Sequence, residues 1–242
     1  FPYLNLQMLY GKHLGLRGPV ARLLEEGDAK ALELREVIEA LEAQAVRERL
    51  LTASGVYQWF RARATGETLT LFGAGGEAAA RFTFPRQPEG ERLCLADYVR
   101  DDMDDYVALF AVTCGSGVRE RAAAWKERGD YLRSHALQAL AIETAEAFAE
   151  WLHARLRTLW GFPDAPDLPV GDVLKARYRG LRVSFGYPAC PELADQATLW
   201  RLLRPEDIGI ALTEGFMMDP EASVSALVFH HPAAKYFKAT AD

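Results

Sequence analysis

Val56-Tyr57-Gln58-Trp59-Phe60-Arg61-Ala62-Arg63, Thr68-Leu69-Thr70-Leu71-Phe72 and Arg81-Phe82-Thr83-Phe84 are three short runs separated by turn residues, and their reading decides the fold class. The first run is aromatic and alternating, as a half-buried strand requires. Thr65-Gly66-Glu67 supplies a tight turn into the second. Between the second and third lies Gly73-Ala74-Gly75-Gly76-Glu77-Ala78, which matches the loose GxGxxA form of a dinucleotide fingerprint. In that fingerprint the glycines let backbone amides approach a pyrophosphate at a helix start. Only a few residues separate it here from Arg81, which leaves no room for the crossover helix that a parallel strand needs. The stretch therefore predicts an antiparallel meander with a glycine-rich hairpin loop.

Working outward, Asp105 to Cys114 (DYVALFAVTC) is an almost continuous apolar run bounded by charges and Gly115, which predicts a strand covered on both faces. Upstream, Gly18-Pro19 punctuates the chain and two helices are expected, a short one from Pro19 and a longer one capped by Asp28. Leu32, Val37, Ile38, Leu41 and Val46 recur along the longer one at helical spacing. Asp130 to Trp160 carries the longest helical pattern, with Leu137, Leu140, Phe148, Leu152, Leu156 and Leu159 on one broad stripe ended by Gly161 and Pro163. A Pro-rich loop (FPDAPDLP) leads to a shorter helix, and Ser223 to Phe229 reads as a late strand. Strands and helices mix without a strict βα repeat. The expected fold is α+β, a single domain with a mainly antiparallel, twisted sheet packed against helices that include one long core helix.

A chain of 242 residues, half of them apolar, can bury a sizeable core, so one domain over 1–242 is expected. Its net charge is -6 with no long run of either sign, a field that repels a phosphate backbone and argues against a nucleic-acid partner. Cys94, Cys114 and Cys190 are widely spaced and odd in number, which fits reduced thiols in a cytoplasmic protein. No apolar run is long enough for a membrane span, so no membrane partner is expected. The chain opens at Phe1 on the apolar run FPYLNLQMLY, which reads as a fragment cut from a larger multidomain chain.

Two acidic features suggest metals and argue against them. Asp101-Asp102-Met103-Asp104-Asp105 offers several hard oxygen ligands, but it sits between Arg100 and a strand, where charges mark a solvated turn. Glu150-Trp151-Leu152-His153 has the Glu-x-x-His spacing of di-iron helices, yet no second copy exists, so His153 is expected at the polar edge of the helix stripe. HExxH, paired Cys/His spacings and DxHxxG are absent, and KHLG around His13 has no Asp two residues before it.

The most specific stretch is Arg182-Val183-Ser184-Phe185-Gly186-Tyr187-Pro188-Ala189-Cys190-Pro191. Glycine, proline and cysteine crowd behind an arginine, which fits a rigid loop. Gly186 admits a ligand close to the backbone, Pro188 and Pro191 fix the path, and Arg182 offers a planar fork for a carboxylate. This RxxxGYPACP motif resembles the S-adenosylmethionine-binding signature of the activation domain of cobalamin-dependent methionine synthase. LCLADYV at Leu93, DYVALFAVTCG at Asp105, AEAFAEWLHARLR from Ala145, Leu212-Thr213-Glu214 and ASVSALVFHHPAAKYF from Ala222 follow in family order, so the resemblance covers about Pro2 to Lys238.

The resemblance implies that ligand contacts fall on Arg182, on the Gly186, Tyr187 and Ala189 backbone, and on Tyr236 and Phe237, with Glu146 as a helix glutamate of the site. Arg182 can pair with the methionine carboxylate. Tyr187 or Tyr236 can lie near the sulfonium or stack on adenine, and Glu146 can receive the ammonium or further donors. No residue is expected to act as a general acid or base. The implied function is reductive methylation of cob(II)alamin to methylcobalamin within a homocysteine methyltransferase that uses methyltetrahydrofolate. The isolated domain is expected to be inactive without the cobalamin domain and a reductant. Cobalamin would be held by another domain of the same polypeptide, the electron would come from flavodoxin or an equivalent reductase, and zinc would belong to another module. A non-catalytic module that senses S-adenosylmethionine or docks through the same pocket is the alternative. The family's acidic residue for the ammonium would precede Phe1, so weaker binding is expected of this fragment. The family's glutamate shortly before the arginine is replaced by Ala176.

Overall fold

The computed structural model describes residues 2–239. Phe1, where the opening apolar run begins, lies outside the described residues. The chain divides into two compact units. One comprises Phe1–Ser54, Val112–Glu150 and Asp219–Ser223, and the other Gly55–Ala111, Trp151–Met218 and Val224–Asp242.

The first unit is helical. Helix α1 (Val20–Glu25) and helix α2 (Ala29–Glu48) begin where the punctuation predicts, and Asp28 caps α2 by accepting the Ala31 N–H at 2.9 Å. The buried face of α2 is formed by Ala31, Leu34, Ile38, Leu41 and Ala45. Val46 is 72 % exposed, and Leu32 and Val37 are only half-buried. The expected stripe was thus placed off centre, because two of the inward positions are alanines, which carry little hydrophobic signal. Helix α3 (Val118–Glu127) and the first half of helix α4 (Tyr131–Leu159) complete this unit. Arg133 lies over the Trp125 ring at 4.5 Å and donates to Gln44 at 2.6 Å, while Ser134 donates to the Ala122 carbonyl at 2.7 Å.

The second unit holds the sheet. Strands β1 (Ser54–Thr65), β2 (Thr68–Phe72) and β3 (Ala78–Thr83) form the expected antiparallel meander, with Thr65 opposite Thr68 and Leu69 opposite Phe82. GAGG is a hairpin loop, with Gly76 at φ +88°. Strand β4 (Asp105–Thr113) is buried on both faces from Val107 onward. Strands β5 (Leu181–Val183) and β8 (Ser223–Phe229) extend the sheet to six strands in the order β3-β2-β1-β4-β8-β5. Strands β6 (Ala211–Leu212) and β7 (Met218–Asp219) make a separate two-stranded ribbon. Helix α5 (Val170–Val173) follows the Pro-rich loop. Helix α6 (Gln196–Leu203) contributes Leu199, Trp200 and Leu203 to one apolar cluster with Leu69, Leu71, Phe82, Leu109 and Phe229. The α+β class, the antiparallel meander and the long helix are therefore all present.

Two local expectations are corrected. Arg182 lies not in a loop but in the short edge strand β5, paired antiparallel with β8 opposite Val228. His153 is not at a polar edge but fully buried on α4. The apolar stripe of α4 holds at Leu137, Leu140, Leu152 and Leu156, whereas Phe148 is half-buried and Leu159 is exposed.

Candidate functional site

Strand β5 lasts only three residues because Gly180, at φ +89°, turns the chain in and Gly186, at φ +86°, turns it out. A Cβ on Gly180 would lie 2.6 Å from the Phe229 carbonyl, so only glycine fits against β8 there. Past the strand, Ser184 donates to the Ser225 carbonyl at 2.7 Å, which ties the start of the bend to β8. The bend then closes on itself. The Gly186 N–H donates to the Cys190 carbonyl at 2.8 Å and the Cys190 N–H donates to the Tyr187 carbonyl at 2.8 Å. Ala189 and Cys190 are buried and anchor the bend, and Tyr187 stands out at 55 % exposure. Burial pushes the Cys190 thiol upward, so it stays a protonated, unreactive anchor.

The C-terminal segment meets this bend without forming a strand. Tyr236 donates its phenol to the Arg182 carbonyl at 2.6 Å, and the Ala239 N–H donates to the Pro188 carbonyl at 3.3 Å. Gln87 holds the Lys238 carbonyl at 2.8 Å, and Lys235 pairs with Glu91 at 2.7 Å. Phe237 faces inward toward Tyr98, with ring centroids 6.4 Å apart, while Tyr236 remains 54 % exposed. An open cleft of about 450 Å³ lies beside Tyr236 and Phe237, walled also by Gln87, Glu89, Leu93 and Lys235. A smaller hollow of about 60 Å³ near Gly115, Arg119 and Pro220 holds none of the candidate residues.

Of the seven residues singled out from the sequence, six therefore belong to one unit: Arg182, Gly186, Tyr187, Ala189, Tyr236 and Phe237. Hydrogen bonds join Tyr236 to Arg182 and the following segment to Pro188. Glu146 is half-buried on α4 and belongs to the other unit.

Sequence reasoning missed the buried polar groups behind Arg182. The imidazole of His153 packs edge-on against Tyr178 with centroids 5.1 Å apart, and the Arg157 guanidinium lies 3.7 Å over the same Tyr178 ring. Arg157 is itself buried and pairs with Asp164 through Nε at 2.7 Å and a second, shorter contact. Burial, and then the charges of Arg157 and Arg182, hold His153 well below the usual histidine range, so its ring is neutral. The signal was legible: Glu146, Glu150, His153 and Arg157 recur at steps of four, three and four, which is a polar line on one side of the helix.

The acidic turn behaves differently. Asp104 bridges Arg61 at 3.0 Å and Arg63 at 2.7 Å, and Asp102 pairs with Arg100 at 2.9 Å. Burial works against ionisation of Asp105, but the 2.7 Å bond to His230 and the Tyr106 N–H outweigh it and hold the carboxyl below its usual range. No group of three or more His, Cys, Asp or Glu side chains suited to a metal occurs among the described residues. None of the described helices is long and apolar enough to cross a membrane.

The domain is thus an α+β fold in which the Arg182 edge strand, the Gly186 bend and the Tyr236 segment are tied together by hydrogen bonds. Residues 2–241 match the family described as vitamin B12 dependent methionine synthase, activation domain, and the chain belongs to that family. It is 36 % identical over 208 residues, 78 % of its length, to a methionine synthase of Mycobacterium leprae (strain TN). A methionine synthase of Mycobacterium tuberculosis (strain ATCC 25618 / H37Rv) is 34 % identical and covers 92 % of the chain. The chain spans only 17 % and 20 % of the lengths of those two relatives. Among solved structures it is similar to the MetH reactivation domain bound to AdoHcy, at TM-score 0.92 and 31 % identity, over 98 % of this chain and 77 % of the other.

Proposed function

We propose that the chain binds S-adenosylmethionine at the Arg182–Tyr236 corner and acts as the reactivation domain of a cobalamin-dependent methionine synthase in the cytoplasm. The observation that carries the reading is the 2.6 Å bond from Tyr236 to the Arg182 carbonyl, which brings together two motifs that the family resemblance marked independently. The AdoHcy bound to the similar solved domain, the demethylated product of the same ligand, supports it.

In this reading Arg182 pairs its planar fork with the ligand's carboxylate, a charge-assisted contact with two parallel N–H donors. The bend from Gly186 to Ala189 offers backbone to the nucleoside, and Tyr187 or Tyr236 places an electron-rich face by the sulfonium or the adenine. No proton is transferred, which fits a site without an acid-base pair. The methyl leaves as a formal cation, the C–S bonding pair stays on sulfur, and S-adenosylhomocysteine is the product. Cobalamin, which another domain would carry and flavodoxin or an equivalent reductase would reduce by one electron, would supply the nucleophile, while this chain's residues would hold the S-adenosyl ligand. This chain's contribution is position: it holds the methyl fixed and shielded from water. The buried, raised thiols of Cys94, Cys114 and Cys190 cannot compete for it.

Titration calorimetry with AdoHcy tests the binding step, and Arg182→Ala should weaken it strongly; unchanged affinity would remove Arg182 from the site. Transfer of labelled methyl from S-adenosylmethionine, measured with the cobalamin domain and a reductant, separates this reading from a purely sensing module, which binds without transfer.

A further inference from the structure

His153 has no exposed surface, and neither of its ring nitrogens has a hydrogen-bond partner. A buried polar nitrogen left unsatisfied is destabilising, and natural interiors contain few of them. Packing alone does not explain the choice, since a phenylalanine would fill the same edge-on place against Tyr178 without the penalty. The surroundings narrow the role. Tyr178 stands four residues before Arg182 on the segment that enters β5, so His153 and Arg157 together seat the stretch of chain that delivers Arg182. Arg157 gives its Nε and Nη2 hydrogens to Asp164. A neutral imidazole keeps one nitrogen lone pair as an acceptor, and a guanidinium has five N–H donors, of which a carboxylate uses two.

We propose that His153 is a positioning residue for Arg182: on ligand binding its free ring nitrogen accepts a guanidinium N–H and fixes the fork toward the ligand's carboxylate. A neutral acceptor suits this task better than a carboxylate, because it orients the guanidinium without neutralising the charge that the ligand needs. The flanking Arg157 and the dry surroundings keep the imidazole neutral, so it does not repel Arg182. This inference rests on reading Arg182 as the carboxylate's partner.

The test is AdoHcy affinity of the full chain by calorimetry, with wild type, His153→Phe and His153→Gln, beside their thermal midpoints. His153→Phe should bind AdoHcy about tenfold more weakly, the loss of one hydrogen bond to a charged group. His153→Gln, whose amide oxygen is also a neutral acceptor, should recover most of that affinity. In wild type labelled with ¹⁵N-histidine, the accepting nitrogen of His153 should shift when AdoHcy binds and stay in place with adenosine, which has the nucleoside but no carboxylate. Unchanged affinity in His153→Phe, equal losses in both variants that track their midpoints, or a ring resonance indifferent to AdoHcy would each overturn the inference. The last readout needs no variant to fold. Wild type that fails to bind AdoHcy, or Arg182→Ala that binds as wild type does, overturns the ligand reading itself and is told apart on that ground.

Discussion

Two surface regions of the sheet-bearing unit both look like sites in the sequence, and the structure treats them in opposite ways. In the acidic turn at Asp101 to Asp105 the carboxylates of Asp102, Asp104 and Asp105 are spent on Arg100, on Arg61 and Arg63, and on His230. At the Gly186 bend two backbone bonds close the turn, Tyr236 bonds the Arg182 carbonyl, and the Tyr187 and Tyr236 rings are more than half exposed. A cluster of charges that answers its own needs offers little to a ligand. The bend instead leaves the Tyr187 and Tyr236 rings more than half exposed, and the proposed ligand site lies there.

The sharpest way to break this contrast is Arg182→Ala, which should reduce AdoHcy affinity by about a hundredfold in titration calorimetry, as loss of a bidentate charged contact implies. Gly186→Val comes next. Its φ of +86° is left-handed, and the added Cβ would meet Leu193 at 3.3 Å, so the fold should lose about 1–2 kcal/mol. Differential scanning calorimetry should then record a Tm lower by about 2–8 °C.

The buried His153 yields a pH prediction. Its folded-state pKa is depressed below the unfolded value of about 6.5, so the unfolded chain binds the extra proton. Its stabilising contribution is therefore complete above about pH 6.5 and is lost as pH falls below that value, by up to about 1.4 kcal/mol per pH unit. Urea midpoints at pH 7.5 and 5.5 should differ less in His153→Gln than in wild type.

Smaller effects sharpen the comparison. Tyr236→Phe removes the bond to the Arg182 carbonyl and should weaken AdoHcy binding by about fivefold. Asp104→Asn, which breaks two partly exposed ion pairs, should change stability by less than about 1 kcal/mol and leave AdoHcy affinity untouched. A measurable loss of ligand in that variant would erase the distinction drawn between the two regions.

Much of the fold was readable because its rules are local. The meander follows from alternation and tight turns, the start of α2 from Asp28, the stop of α4 from Gly161, and the coverage of β4 from its unbroken apolar run. The inward face of α2 was not readable in the same way, since the alanines on that close-packed face carry almost no hydrophobic signal. Arg182 was read as a loop residue because glycines and prolines surround it, yet a neighbouring strand, β8, holds it in the sheet. His153 was read as polar and peripheral because its helix spacing shows which side it takes but not what covers that side.

The antiparallel character of the meander, the long helix and the RxxxGYPACP motif were all determined by the amino-acid sequence alone. They depend on propensities and spacings that act over a few residues. Tertiary structure alone decided that Tyr236 reaches the Arg182 carbonyl across 54 residues of chain, and that Tyr178 closes over His153. Contacts of that kind depend on the path of the whole backbone and on which groups lose their water together, and no local pattern records either.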